Sequence, residues 1–287
     1  MIIRDQIIRT LERTGDLPTL PEVALSVSRL TQDPNVSASG IASVLQHDPA
    51  FTARVLKVAN SAAFGSLSRI TAVRQAIARL GMRTIHQICM SISVIRLFED
   101  KGRIDYPQFW KHSLSVALAA QHIAKHTQLA PSQSDSLFTA GILHDIGIIL
   151  LDQYATEAYT PVRKTAPLME QSLATAEQTL LGIHHAEVGA LLLQRWKLPP
   201  SIIQAVLHHH HPCNALPEYE RLAQLVHLAN FACVNQGIHN GVGQWNEGFS
   251  DSAWFDIGLC VDDIPALISE VEVELKKSEV MVAVARD

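Results

Sequence analysis

The chain has 287 residues, of which 47% are apolar and 18% charged, and a net charge of −5. That length accommodates one large or two modest domains, and the apolar fraction is ample for a packed core rather than a disordered chain. The acidic balance argues against broad electrostatic binding to nucleic acid or anionic lipid, so neither is expected as a partner, although a local basic groove is compatible with it.

Arg4 and Asp5 stand too early for the apolar stretch of a secretory leader, and the longest apolar run is interrupted by His144 and Asp145, so a cytoplasmic protein without a membrane span is expected. Cys89, Cys213, Cys233 and Cys260 form no CxxC pair, which leaves reduced thiols as the expectation.

Nearly every periodicity is helical. Ile3, Ile7, Ile8 and Leu11 share one face, and Gly15 ends that segment. Asp48 can cap and Pro49 can open a helix running to about Phe64, where Gly65 breaks it. A short helix over 72–80 carries Val73, Ile77 and Leu80 inward, and another over 82–98 carries Ile85, Ile88, Ile92 and Ile95. The polar run 99–103 divides the chain into an N-terminal helical subdomain, 1–103, and a second helical subdomain, 104–287. In the latter, helices are predicted at about 107–127, 134–153, 159–181 and 185–196, then from Ser201 as cap to Pro212, then 218–234, with a Gly- and Asn-rich loop over 237–248 and a terminal helix over 262–284. No period-2 runs long enough for a sheet are present, so the fold class is all-α.

His144-Asp145 lies within the apolar run 138–151, where a carboxylate is costly unless something pairs with it or it coordinates a metal. As neighbours on one continuous helix their side chains would diverge by about 100°. His112 upstream and His184, His185 and the run His208 to His211 downstream are further imidazoles from other helices. Each has a plain alternative reading: His112 as a core histidine, His184 as an exposed or capping residue, the His-rich run as a solvated turn. Imidazole and carboxylate together suit zinc, iron, nickel or manganese, as one or two ions.

These residues, in this order, resemble the HD superfamily of metal-dependent phosphohydrolases, and more closely the HDOD family, the HD-related output domain of bacterial signalling. The first part of the resemblance is carried by Leu17-Pro-Thr-Leu-Pro21, His47-Asp-Pro49, Val55-Leu-Lys-Val-Ala-Asn-Ser61 and Ala76-Ile-Ala-Arg-Leu-Gly81. The second is carried by Trp110-Lys-His-Ser113, Gly141-Ile-Leu-His-Asp-Ile-Gly147, His185-Ala-Glu-Val-Gly189, Trp196-Lys-Leu-Pro199 and His208-His209. The resemblance implies an HD-like helical bundle with metal ligands at its centre. His112, His144 and Asp145 match the first ligands; His185, His208 and His209 match the further histidines of the two-metal HD-GYP relatives.

The sequence departs from that pattern in three places. Asn230 stands where a last ligand Asp is expected, and a neutral amide oxygen is the weaker ligand. Ile148 stands where phosphodiesterase relatives carry a Lys, and it cannot stabilise phosphate charge. Cys213-Asn-Ala-Leu-Pro217 replaces the Gly-Tyr-Pro loop. The ligand set is thus largely kept while the phosphate-handling parts are lost. This favours a non-catalytic regulatory module with a retained metal centre, working through a signalling protein partner or a small nucleotide, with Asn60, Ser61 and Arg74 as a candidate interface. The alternatives are a metal-dependent phosphohydrolase acting on nucleotides or cyclic dinucleotides, with Asp145 in the catalytic role, and a scaffold in which neutral histidines simply hydrogen-bond Asp145.

Overall fold

The computed structural model describes residues 2–13, 17–31, 37–65, 69–98, 101–125, 127, 131–165, 171–243 and 263–287. The described residues are predominantly helical, with no strand among them. They divide into two compact units: one of residues 18–99 with 272–287, the other of residues 1–17 with 100–271.

In the first of these units the helices are α2 (Glu22–Thr31), α3 (Ala38–Gln46), α4 (Pro49–Ala59), α5 (Val73–Leu80) and α6 (Met82–Leu97). The helix starts follow local chemistry. Asp48 accepts from the Phe51 N–H at 2.8 Å with Pro49 in the first turn, and Ser37 accepts from the Gly40 N–H at 3.2 Å. α6 is buried from Ile85 through Ile95 except at Gln87, and α2, α4 and α5 pack around it.

The helix expected to reach Phe64 stops at Ala59, and a single 3-10 turn, Ala62–Phe64, follows. Asn60 is the reason. Its Nδ2 donates to Leu56 O at 2.8 Å and Ile70 O at 2.7 Å, while its Oδ1 accepts from the Ile70 N–H at 2.7 Å. The amide fastens the following segment back onto α4, so the side chain offered as an interface residue is committed to the chain's own backbone. Ser61 Oγ is buried; Arg74 is exposed.

The other unit holds α1 (Ile2–Arg13), α7 (Tyr106–Ala124), α8 (Pro131–Leu143), α9 (Ile146–Tyr154), α10 (Thr156–Thr165), α11 (Leu173–Leu181), α12 (His185–Arg195), α13 (Pro200–His208) and α14 (Pro217–Asn235). α7 packs on α8 and α14, α9 on α12, and α13 on α8, α12 and α14. Phe109, Trp110, Leu114, Phe138 and Tyr159 are among the fully buried side chains. A burial of this extent is the main stabilising term of the unit. Gly141 permits the α7–α8 approach, because a Cβ there would press on Ala117.

The division expected at residue 103 differs at both ends of the chain. α1 belongs with residues 100–271: Arg4 donates to Gly182 O at 2.9 Å and pairs with Glu187 at 2.8 Å. Residues 272–287, the later part of α15 (Ile264–Arg286) with the terminal Asp287, belong with 18–99: Asp287 pairs with Lys57, and Lys277 Nζ sits 5.6 Å from the centre of the Phe64 ring. These are contacts between residues far apart in sequence, which a polar break in the chain does not signal.

Three helix boundaries also differ. The helix expected over 134–153 is two, α8 and α9, separated at His144-Asp145. The one expected over 159–181 is also two, and Ser172 caps α11 by accepting from the Thr175 N–H at 3.2 Å. α13 is capped not by Ser201 but by Pro199, with Pro200 in its first turn. The stretch Gln133–Tyr154 is long and apolar enough to cross a membrane, yet 89% of its apolar window is buried inside the protein. Cys89, Cys213 and Cys233 are free thiols, and Cys260 lies outside the described residues, as do 244–248 of the expected loop.

Candidate metal centre

The break between α8 and α9 creates the centre. His144 and Asp145 occupy a two-residue turn, Asp145 at φ −99° and ψ 7°, outside the α-helical well. His144 folds back so that its Nδ1 donates to Gly141 O at 2.7 Å. The two side chains then face the same way, His144 Nε2 lying 3.4 Å from Asp145 Oδ2, instead of diverging as on a continuous helix.

Asp145 is 2% exposed and is ringed by imidazole nitrogens. Its Oδ1 lies 3.1 Å from His185 Nε2 and 3.6 Å from His209 Nε2; its Oδ2 lies 3.6 Å from His112 Nε2. His210 Nε2 sits 2.8 Å from His185 Nε2. Two overlapping donor sets result, Asp145 with His185, His209 and His210, and Asp145 with His112 and His144, each with its ligand atoms within 4.8 Å of one another.

The outward nitrogens fix the tautomers. His112 Nδ1 donates to Ile238 O at 2.8 Å, His144 Nδ1 to Gly141 O, and His209 Nδ1 to Val206 O at 2.7 Å. His185 Nδ1 meets Glu177 Oε2 at 2.7 Å. A carbonyl or carboxylate oxygen only accepts, so Nδ1 carries the hydrogen in each neutral ring and Nε2 presents a lone pair inward. His112 Nε2 and His144 Nε2 are 3.3 Å apart, and two lone pairs at that separation do not bond each other. His209 Nε2 has no hydrogen-bond partner among the described residues. Buried lone pairs converging on a carboxylate fit a divalent cation, and the outward bonds are those that orient metal-binding histidines.

The electrostatics follow the same geometry. Burial by itself would raise the Asp145 carboxyl, but the His144 and His185 imidazoles beside it hold it well below the usual carboxylate range. Burial would likewise lower His185, and the Glu177 and Asp145 carboxylates on either side outweigh that and hold it well above. Burial, and then the His210 ring beside it, holds His209 well below the usual imidazole value.

The structure brings together His112, His144, Asp145, His185 and His209. It does not bring His208, which ends α13 half-buried, and it puts His210 in the cluster instead. The helix ends at His208, and the turn that follows, with His211 N–H bonded to His208 O at 2.9 Å, carries the next two rings inward. Asn230 is 3% exposed on α14, its Oδ1 accepting no hydrogen bond among the described residues. Ile148 is fully buried on α9. His184 takes the cap position of α12, its N–H donating to Glu187 Oε1 at 3.4 Å.

Two participants carried no sequence signal. Asn240 donates to Asp145 Oδ2 at 3.0 Å from the loop after α14. That loop is tied to the start of α7 by the Asp105 N–H to Gly241 O bond at 3.1 Å, and Gly241, at φ +76°, lies where a Cβ would strike the Asp105 carbonyl. Glu177 lies eight residues before His185 on an ordinary amphipathic helix, and only the tertiary fold brings it back to that ring.

The HDOD domain family model matches residues 17–212. This chain belongs to the HDOD family. An uncharacterized protein of Treponema pallidum is 29% identical over 223 residues, which are 76% of this chain and 42% of that protein, so the chain spans less than half the length of that relative. Among solved structures, an HDOD domain protein of unknown function from Geobacter sulfurreducens shares the fold at a TM-score of 0.80 and 24% identity, covering 97% of each chain. A protein from Marinobacter aquaeolei described in terms of signal transduction follows at 0.77 and 23%, covering 99% of this chain and 66% of that one. A Shewanella amazonensis protein described as a phosphohydrolase follows at 0.74 and 23%, covering 96% of this chain and 97% of that one. At these identities the likeness is one of fold, the all-α HDOD architecture.

Proposed function

We propose that this HDOD chain is a signal-transduction module whose HD-like unit is organised around a metal centre, and that its output is binding rather than turnover. One observation carries the reading: Asp145 is ringed by the inward-facing Nε2 atoms of His112, His144, His185 and His209, each ring fixed by an outward Nδ1 bond. His112, His144, Asp145, His185, His209 and His210 would hold the ion or ions. Nitrogen and carboxylate donors suit iron, zinc, manganese or nickel. A bound divalent ion supplies Lewis acidity and cross-links α7, α12 and the α8–α9 turn, which stabilises the folded unit by mass action.

Support for binding over catalysis comes from Ile148. It is fully buried and apolar at the position where phosphodiesterase relatives carry a cation. The partner would be a signalling protein or a small nucleotide. The test is metal content by plasma mass spectrometry on tag-free protein, beside His144→Ala and Asp145→Ala. Near-stoichiometric metal, lost in both variants, is expected. Absence of metal from wild-type protein after both aerobic and anaerobic purification would overturn the reading.

A second reading is favoured by one feature: the two oxygens of Asp145 face different donor sets, as a carboxylate bridging two ions does in hydrolases. It predicts metal-dependent cleavage of a nucleotide or cyclic dinucleotide that Asp145→Ala abolishes. A broad phosphoester panel with no turnover under several metals would remove it.

A further inference from the structure

Glu177 of α11 is 0% exposed, in a position where a carboxylate is costly without donors. It has three. Tyr159 Oη, itself fully buried on α10, donates to Oε1 at 2.8 Å. The His185 N–H and the His185 Nδ1 both meet Oε2 at 2.7 Å. The carboxylate therefore fixes the His185 backbone at the first residue of α12 and its ring at the same time.

This backing differs in kind from that of the neighbouring rings. His112, His144 and His209 are each backed by a backbone carbonyl, a dipole; His185 is backed by a full negative charge. A carboxylate behind an imidazole makes its far nitrogen a stronger ligand and holds its orientation. The two donor sets around Asp145 are unequal in other ways too. The set with His185 has four donors and uses Oδ1; the set with His112 and His144 has three and uses Oδ2, which already accepts from Asn240 at 3.0 Å.

We infer that the centre holds two ions of unequal affinity, and that the Tyr159–Glu177 pair is the positioning element that makes the His185, His209, His210 half the tight one. This rests on the metal-centre reading above. It adds a filling order: the half built on α12 and the end of α13 loads first, and the His112–His144 half loads at higher free metal. Because Tyr159 and Glu177 stand on α10 and α11, loading of the tight half fixes the start of α12 against those helices.

The experiment is equilibrium dialysis of the metal-stripped full chain against buffered free Zn(II), with bound zinc read by plasma mass spectrometry. Wild type is expected to fill in two resolved steps. Glu177→Gln should weaken the first step by about 10- to 100-fold and leave the second in place. His112→Ala should remove the second step and leave the first. Far-UV circular dichroism and a melt establish that each variant is folded. Should Glu177→Gln fail that check, Tyr159→Phe, which keeps the carboxylate and removes one donor, carries the test. A loss confined to the first step supports the inference; two unchanged steps overturn it. Two equal steps in wild type, or wild-type affinity at both steps in a folded Glu177→Gln protein, also overturn it while leaving the metal centre standing. A wild-type chain that takes up no zinc overturns the metal-centre reading itself, and the inference with it.

Discussion

Gly147 lies so close to the carbonyl of His185 that a Cβ on it would overlap that oxygen, and would meet Gly189 N at 2.8 Å. Gly147 is in the first turn of α9, two residues after Asp145, and His185 begins α12. The contact therefore sets the separation between the carboxylate and one of its principal imidazoles. Gly147→Ala should force the two helices apart, at a cost of about 1–3 kcal/mol for overpacking, and should lower metal content in parallel. Urea unfolding with zinc analysis on the same preparations checks both. A variant with wild-type stability and full metal would mean that this approach is not what holds Asp145 against His185.

His208 and His210 make a paired comparison. The sequence pattern selected His208 with His209, whereas the fold turns His208 toward the surface and His210 toward His185. His208→Ala should leave metal content and melting temperature near wild type, within about 0.5 kcal/mol, as for surface substitutions generally. His210→Ala should reduce bound metal measurably. The reverse pattern in the mass-spectrometric metal count would show that the turn after α13 is set differently in solution.

Asn60 tests the structural against the interface reading of the unit formed by 18–99 and 272–287. Asn60→Ala removes three hydrogen bonds and leaves the Ile70 N–H and carbonyl without their partner. A loss of about 1–3 kcal/mol is expected. It should appear as a lower midpoint in chemical denaturation. If Asn60 instead served a partner at an exposed surface, stability would be unchanged and only capture of that partner would suffer.

His86 supplies a pH dependence. It is fully buried in α6, and neither ring nitrogen has a hydrogen-bond partner among the described residues. Burial pushes its pKa down from 6.5 to about 4. As pH falls below 6.5 the unfolded chain takes up this proton while the folded chain does not, so unfolding is favoured. The stability is intact above about pH 6.5, is lost between there and about pH 4, and levels off below. At 1.36 kcal/mol for each pH unit, the loss at the acid end is about 3 kcal/mol. His86→Leu should remove this component, so that the stability difference between variant and wild type widens on acidification from pH 7 to 4. A difference that stays constant over that range would show that His86 is not protonated selectively in the unfolded chain.

How much of this was legible in the sequence follows from what each feature depends on. Helical periodicity, caps such as Asp48 with Pro49, and the placing of a carboxylate in the apolar run 138–151 are properties of neighbours in the chain, and these the sequence determined: an all-α fold of the HDOD family with His112, His144, Asp145, His185 and His209 as the residues to watch. The tertiary structure decided what depends on residues distant in the chain. It broke the apolar helix at His144-Asp145, because folding the imidazole back onto Gly141 and turning both side chains toward the other histidines satisfies groups that a straight helix would leave pointing apart. It chose His210 over His208, a choice made by where α13 ends rather than by residue type. It recruited Glu177 and Asn240, whose side chains reach the centre only once α11 and the loop after α14 are packed in place. The physical reason is common to all three. A buried polar group must find its partner in space, and one-dimensional spacing records that partner only when it lies within a turn or two of the same helix.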